Sequence, residues 1–108
     1  MKKILFLLIA SCDIASAQIT ATHFNAGWNN ANSVTWFMDL KDCKTISYVD
    51  ISKETDLAKK HKIAVIPTII IFKDGEEALR FQADLSFKML ATREEVQEEI
   101  DEQLMSDF

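Results

Sequence analysis

The only proline of the chain, Pro67, stands directly before Thr68-Ile69-Ile70-Ile71-Phe72, and one of its two glycines, Gly75, follows Lys73-Asp74. β-Branched and aromatic side chains favour an extended backbone, so Thr68 to Phe72 is predicted to be a strand. Proline has no amide hydrogen to give a sheet and is tolerated where a strand begins. Asp-Gly tolerates the positive φ of a tight hairpin, so Glu76 to Gln82 is expected to return antiparallel. With so few breakers and no repeat or low-complexity run, the rest must be read from periodicity.

Gln18 to Ala26 reads as a central strand, with Ile19, Ala21, His23 and Asn25 on one face and Thr20, Thr22, Phe24 and Ala26 on the other. Val34, Phe37 and Met38 recur at i, i+3, i+4 behind several asparagines suited to capping, so Asn29 to about Cys43 is predicted to be a helix. Thr45 to Ile51 is a second strand. Ser52 to His61 has a helical signature, with Ser52 as a possible cap, acids early and Lys59 and Lys60 late. Thr92-Arg93-Glu94-Glu95 is a capping box, and Val96, Ile100 and Leu104 form one apolar stripe on a final helix whose other faces, largely acidic, are read as solvated. Strands alternating with helices, then a hairpin, predict an α/β fold: a mixed sheet of four to five strands with helices on both faces.

The 108 residues suit a single domain spanning residues 1–108, and 48% apolar with 27% charged side chains is ordinary for a globular chain with one core. A net charge of -5 argues against a nucleic-acid partner, which is held by clustered Lys and Arg. Cys12 and Cys43 are 31 positions apart, a spacing of neither a redox motif nor a metal site, and His23 and His61 lack companion ligands, so neither metal nor cofactor is expected. Residues 1–17 carry three open readings. Lys2-Lys3, an apolar run from Ile4 to Ala10 and Ala15-Ser16-Ala17 have the layout of a secretory signal. Ile9-Ala10-Ser11-Cys12 is similar to a bacterial lipoprotein box, which would place Cys12 on a membrane. The same apolar run also suits a buried first strand followed by a short helix. The retained strand is slightly preferred, with a cytoplasmic or assembly-bound protein; cleavage would imply a periplasmic or secreted one.

Residues 19 to 82, and more loosely the whole chain, resemble the thioredoxin family. The resemblance rests on Phe24-Asn25-Ala26-Gly27-Trp28, on Val49 through Thr68 without a gap, ending in Ile66-Pro67-Thr68, and on Phe72-Lys73-Asp74-Gly75-Glu76. It implies a thioredoxin-like fold with a cis bond at Ile66-Pro67. It also sets Asn29-Asn30-Ala31-Asn32 where the family carries its Cys-x-x-Cys motif, with Asn29 and Asn32 at the two cysteine positions. His23 falls where the resemblance places a buried acid, Tyr48 near its lysine partner, and Ala83 near a glycine-bearing loop. An asparagine offers no thiolate to attack a disulfide and no second sulfur to resolve one, but its side-chain oxygen is suited to capping the first turn of a helix.

The resulting expectation is a redox-inactive binding or structural module that recognises a protein partner, or takes part in a larger assembly, through Trp28, Asn29, Asn30, Asn32, Ile66, Pro67 and Thr68. One alternative is a secreted or lipid-anchored peptide binder of a bacterial envelope. Another is an atypical monothiol oxidoreductase using Cys12 or Cys43, although Cys43, at the end of its expected helix, is at the wrong end of the helix dipole for activation.

Overall fold

The computed structural model describes residues 18–105, so the three readings of residues 1–17 lie outside the described part. Four strands, β1 (Ile19–Asn25), β2 (Thr45–Asp50), β3 (Thr68–Lys73) and β4 (Glu76–Gln82), form one mixed sheet in the order β2-β1-β3-β4. β1 runs parallel to β2, with His23 opposite Tyr48 and Asn25 opposite Asp50. It runs antiparallel to β3, with Phe24 opposite Thr68. β3 and β4 make the expected hairpin. Its turn has positive φ at Asp74 (52°) and Gly75 (89°), the backbone hand that matches strand twist. Asp74 Oδ1 accepts from the Gln18 amide at 2.9 Å, fastening the turn to the start of β1.

Alternation along the strands separates two apolar layers. Ile19, Ala21, Ile69 and Ile71 point to one face, packed with Val34, Phe37, Leu40, Val96 and Ile100. Phe24, Val49 and Ile70 point to the other, with Leu57, Ile63 and Phe72 partly buried against them. The helix α2 (Arg93–Met105) covers the first face and α1 (Thr55–Lys60) the second. The capping box at α2 is made in full: Glu95 N donates to Thr92 Oγ1 at 3.1 Å, and Thr92 N donates to Glu95 Oε1 at 2.8 Å.

Two expectations are corrected. Ser52 does not cap α1, which starts at Thr55; its amide and hydroxyl both donate to Asp50 Oδ1, at 2.9 and 2.5 Å, and shape a turn instead. The helix expected from Asn29 to Cys43 is replaced by two short 3₁₀ segments, Gly27–Asn32 and Phe37–Asp39. The burial pattern explains the difference. Val34, Phe37 and Leu40 are buried at intervals of three, the 3₁₀ period, whereas Met38 is exposed.

Candidate functional site

The site is built where β1 ends. After Asn25 the backbone stays extended at Ala26 (φ -121°, ψ 150°) and then turns into the first 3₁₀ segment, with Asn29 N donating to Ala26 O at 2.9 Å. That turn brings Asn29 back over Asn25, where it is only 4% exposed. Asn29 Nδ2 donates to Asn25 Oδ1 at 3.0 Å, and Asn25 Nδ2 returns a bond to the Asn29 carbonyl at 3.2 Å and another to Ser33 Oγ at 3.1 Å. Asn32 Nδ2 donates to Asn29 Oδ1 at 2.9 Å, and Ser33 Oγ donates to Asn30 Oδ1 at 3.1 Å. Asn29 therefore does not cap the segment: Ala26 occupies that position, without a side-chain bond. Its oxygen is used within a network that leaves no buried side-chain nitrogen or oxygen unpaired among the described residues.

His23 lies one layer deeper, 2% exposed. Its Nε2 accepts from the Val34 amide at 3.1 Å, and its ring lies 5.3 Å from that of Phe37 and 5.1 Å from that of Tyr48. Burial holds its pKa below the usual histidine value, although a hydrogen bond to its own backbone opposes the shift. The imidazole is thus held neutral, and one of its nitrogens is committed to backbone. A cleft of about 120 Å³ opens beside it, bounded by Asn25, Asn30, Tyr48 and Asp50 among others. Asp50 is held below the usual carboxylate range chiefly by the Ser52 hydroxyl and amide.

Trp28 points outward, 69% exposed, and meets the edge of Phe87 at 5.4 Å and 89°. Phe87 has φ 66°, an uncommon backbone state for a bulky residue. The loop that holds it is organised by Asp84, whose Oδ1 accepts from Ser86 N, Ser86 Oγ and Lys88 N. The same conformation directs the Phe87 carbonyl to Asn29 Nδ2 at 3.4 Å. Asn25, Ser33 and Phe87 are participants that sequence reasoning missed. Asp84 and Ser86, both turn-forming residue types, are the one local signal from which this loop could have been found.

The other anticipated site residues divide by exposure. Asn30 is exposed and Asn32 half-buried, while Ile66, Pro67 and Thr68 are buried. The Ile66-Pro67 bond is cis. The Pro67 carbonyl accepts from Ala83 N at 3.0 Å, and Thr68 Oγ1 donates to Val65 O at 2.6 Å. Trp28, Asn30 and Asn32 are therefore the accessible members of the set, whereas the burial of Ile66, Pro67 and Thr68 corrects the expectation that they offer a partner surface. Cys43 is remote. It precedes Thr45, which pairs with Thr20 at the far end of β1 from Asn25, and five residues of strand span roughly 16 Å. Burial, reinforced by Asp42, pushes its thiol up to about 11, so at neutral pH almost none is thiolate.

Comparison with known proteins places this geometry in context. Residues 32–100 match the family model described as Thioredoxin; the matched stretch begins at Asn32 and runs through β2, β3, β4 and most of α2. Thioredoxin Y1, chloroplastic, and thioredoxin Y2, chloroplastic, both from Arabidopsis thaliana, are 43% and 39% identical to this chain over 54 residues. Those residues are 50% of this chain but only 31% and 32% of the relatives, so the chain spans about a third of their length. Among solved structures, a mutant thioredoxin from Halobacterium salinarum superposes with a TM-score of 0.63 at 15% identity, covering 81% of this chain and 75% of that one. The oxidised thioredoxin from Plasmodium falciparum gives 0.56 at 14%, covering 81% and 82%. At such identities the likeness concerns the fold alone.

Proposed function

The chain belongs to the thioredoxin family, and on that footing we propose that it is a non-catalytic member, a single domain whose fold is kept for binding a protein partner. The reading rests on one observation, the bond from Asn32 Nδ2 to Asn29 Oδ1 at 2.9 Å, at the two places that the resemblance assigns to the exchanging sulfurs. Thiol exchange requires a nucleophilic sulfur and a second sulfur that displaces it from the mixed disulfide. A carboxamide has no thiolate and no two-electron couple. Its lone pairs and N-H groups here are spent on Asn25, Asn32 and Phe87. The same bonds tie the 3₁₀ segment to the end of β1 and to the Phe87 loop. Trp28 within it is exposed with its ring against Phe87, which suits recognition, because an exposed aromatic is the kind of side chain that anchors an interface.

The monothiol alternative is disfavoured for Cys43 by its position and raised pKa, and its Cys12 version lies outside the described residues. The binding reading is tested by purifying the protein from its native source with its associated protein and repeating the capture with Trp28→Ala and Asn30→Arg combined. Both positions are exposed, so the variant keeps the wild-type far-UV spectrum. Loss of the association supports the surface; undiminished capture removes it.

A further inference from the structure

The surplus negative charge of the chain is concentrated in one element. α2 carries Glu94, Glu95, Glu98, Glu99, Asp101 and Glu102 against a single cation, Arg93. The net charge of the chain is -5, so the residues outside α2 balance. Some of the acids are occupied: Arg93 pairs with Glu94 at 2.9 Å, Glu95 takes the Thr92 amide and Asp101 takes Gln97 Nε2. The side chains of Glu98, Glu99 and Glu102 make no hydrogen bond or ion pair among the described residues. Glu94 and Glu98, Glu95 and Glu99, and Glu98 and Glu102 are like-charge pairs at i, i+4, an arrangement that destabilises a helix.

The charge borders a groove. Between β4 and α2 lies a depression of about 360 Å³ lined by Phe81, Leu90, Ala91, Glu95, Glu98 and Glu99. Leu90 is 69% exposed beside it. A single exposed leucine is commonplace, but one beside the Phe81 ring and under unpaired carboxylates forms an apolar floor with an anionic wall. Such a surface discriminates. An acidic segment is repelled, a wholly polar one leaves the floor unfilled, and a cationic segment with one large apolar side chain satisfies both parts.

We propose that the groove between β4 and α2 is a docking site for a basic peptide segment of a partner protein, with an apolar side chain seated on Phe81, Leu90 and Ala91 and flanking Lys or Arg side chains facing Glu98 and Glu99. It does not depend on whether the asparagine centre is redox-silent, and it is tested separately.

The probe is a fluorescein-labelled peptide, Gly-Lys-Lys-Leu-Lys-Lys-Gly, titrated with the full chain and followed by anisotropy. Saturable binding is expected. It weakens about tenfold when Glu98→Gln and Glu99→Gln are combined, and about as much when 1 M salt shortens the Debye length to about 3 Å. Replacing the peptide leucine by serine, or Leu90→Ser in the protein, is expected to weaken binding by a comparable factor. Absence of saturable binding overturns the proposal. So does equal affinity for the serine peptide, which would mean charge attraction without a groove. A dimer that buries the groove, seen by sedimentation and abolished by Leu90→Ser, overturns it in favour of a second copy of the chain as occupant.

Discussion

Asn29 and Asn32 are joined side chain to side chain, Nδ2 to Oδ1 at 2.9 Å, with Asn29 buried and Asn32 half-exposed. The first is also bonded to Asn25 and the Phe87 carbonyl, so the two amides contribute unequally. Asn29→Ala removes all the side-chain bonds of a buried residue and leaves the buried Asn25 Oδ1 without its donor, an expected cost of about 1–3 kcal/mol, whereas Asn32→Ala breaks one bond and opens a half-exposed position from which water can donate to Asn29 Oδ1, a cost under about 1 kcal/mol. For a domain of this size each kcal/mol shifts the thermal midpoint by roughly 4–8 °C. Thermal melts of the two variants check the order; equal shifts would show that the network is not centred on Asn29.

His23 gives the fold a pH dependence of defined sign. Its folded pKa lies below the ordinary 6.5, mainly through burial, so the unfolded chain binds the proton more readily than the folded one. The contribution of His23 is therefore complete above pH 6.5 and is lost as pH falls from there through the folded value. His61 shifts in the same direction, through burial and then Lys60, but is more exposed. Denaturant titrations between pH 7.5 and 5 are expected to show falling stability, reduced in slope by His23→Gln, whose carbonyl can still accept from Val34. An unchanged slope in that variant would assign the effect elsewhere.

Much of this was legible in the sequence because the local signals agreed. Pro67, the β-branched run after it and Asp74-Gly75 all indicated one hairpin, and Thr92 with Glu95 indicated a helix start that the structure makes bond for bond. The segment from Asn29 to Cys43 misled because its apolar spacing fits two helical periods. Polar competition decided the outcome: Asn, Ser and Thr side chains offer the backbone alternatives to a helix ladder. Here Asn30 O accepts from Ser33 N, and Val34 N goes to His23 Nε2, a partner 11 residues away that periodicity cannot reveal. The contribution of Phe87 was hidden for the same reason, since its carbonyl meets Asn29 across 58 residues.

Arg80 joins the edge strand to the end of α1. Its guanidinium holds Glu77 through two bonds of 2.7 Å and donates to the His61 and Lys62 carbonyls at 2.8 and 3.3 Å. Arg80→Ala is expected to cost about 1–2 kcal/mol, and Arg80→Lys to recover less than half, because an ammonium lacks the fork that meets both groups. Chemical denaturation of the three proteins checks this; full recovery by lysine would reduce Arg80 to a surface charge.

The hairpin turn makes a similar demand on Gly75. With φ at 89° and open space around the position, Gly75→Val is expected to destabilise by about 1–2 kcal/mol from backbone strain alone. Gly75→Asn, which tolerates the left-handed region better, should cost less. Similar melting points for the two variants would contradict this account of the turn.

The central claim is that the family fold here carries no thiol-exchange chemistry, and turnover measures it most directly. The full chain and a Cys43→Ser variant are assayed for dithiol-driven reduction of insulin disulfides, with a Cys-x-x-Cys thioredoxin as the positive control. The account predicts that both proteins leave the rate at that of the dithiol alone. Acceleration by the wild-type chain would contradict it, and its loss or survival in Cys43→Ser would assign the activity to Cys43 or to Cys12.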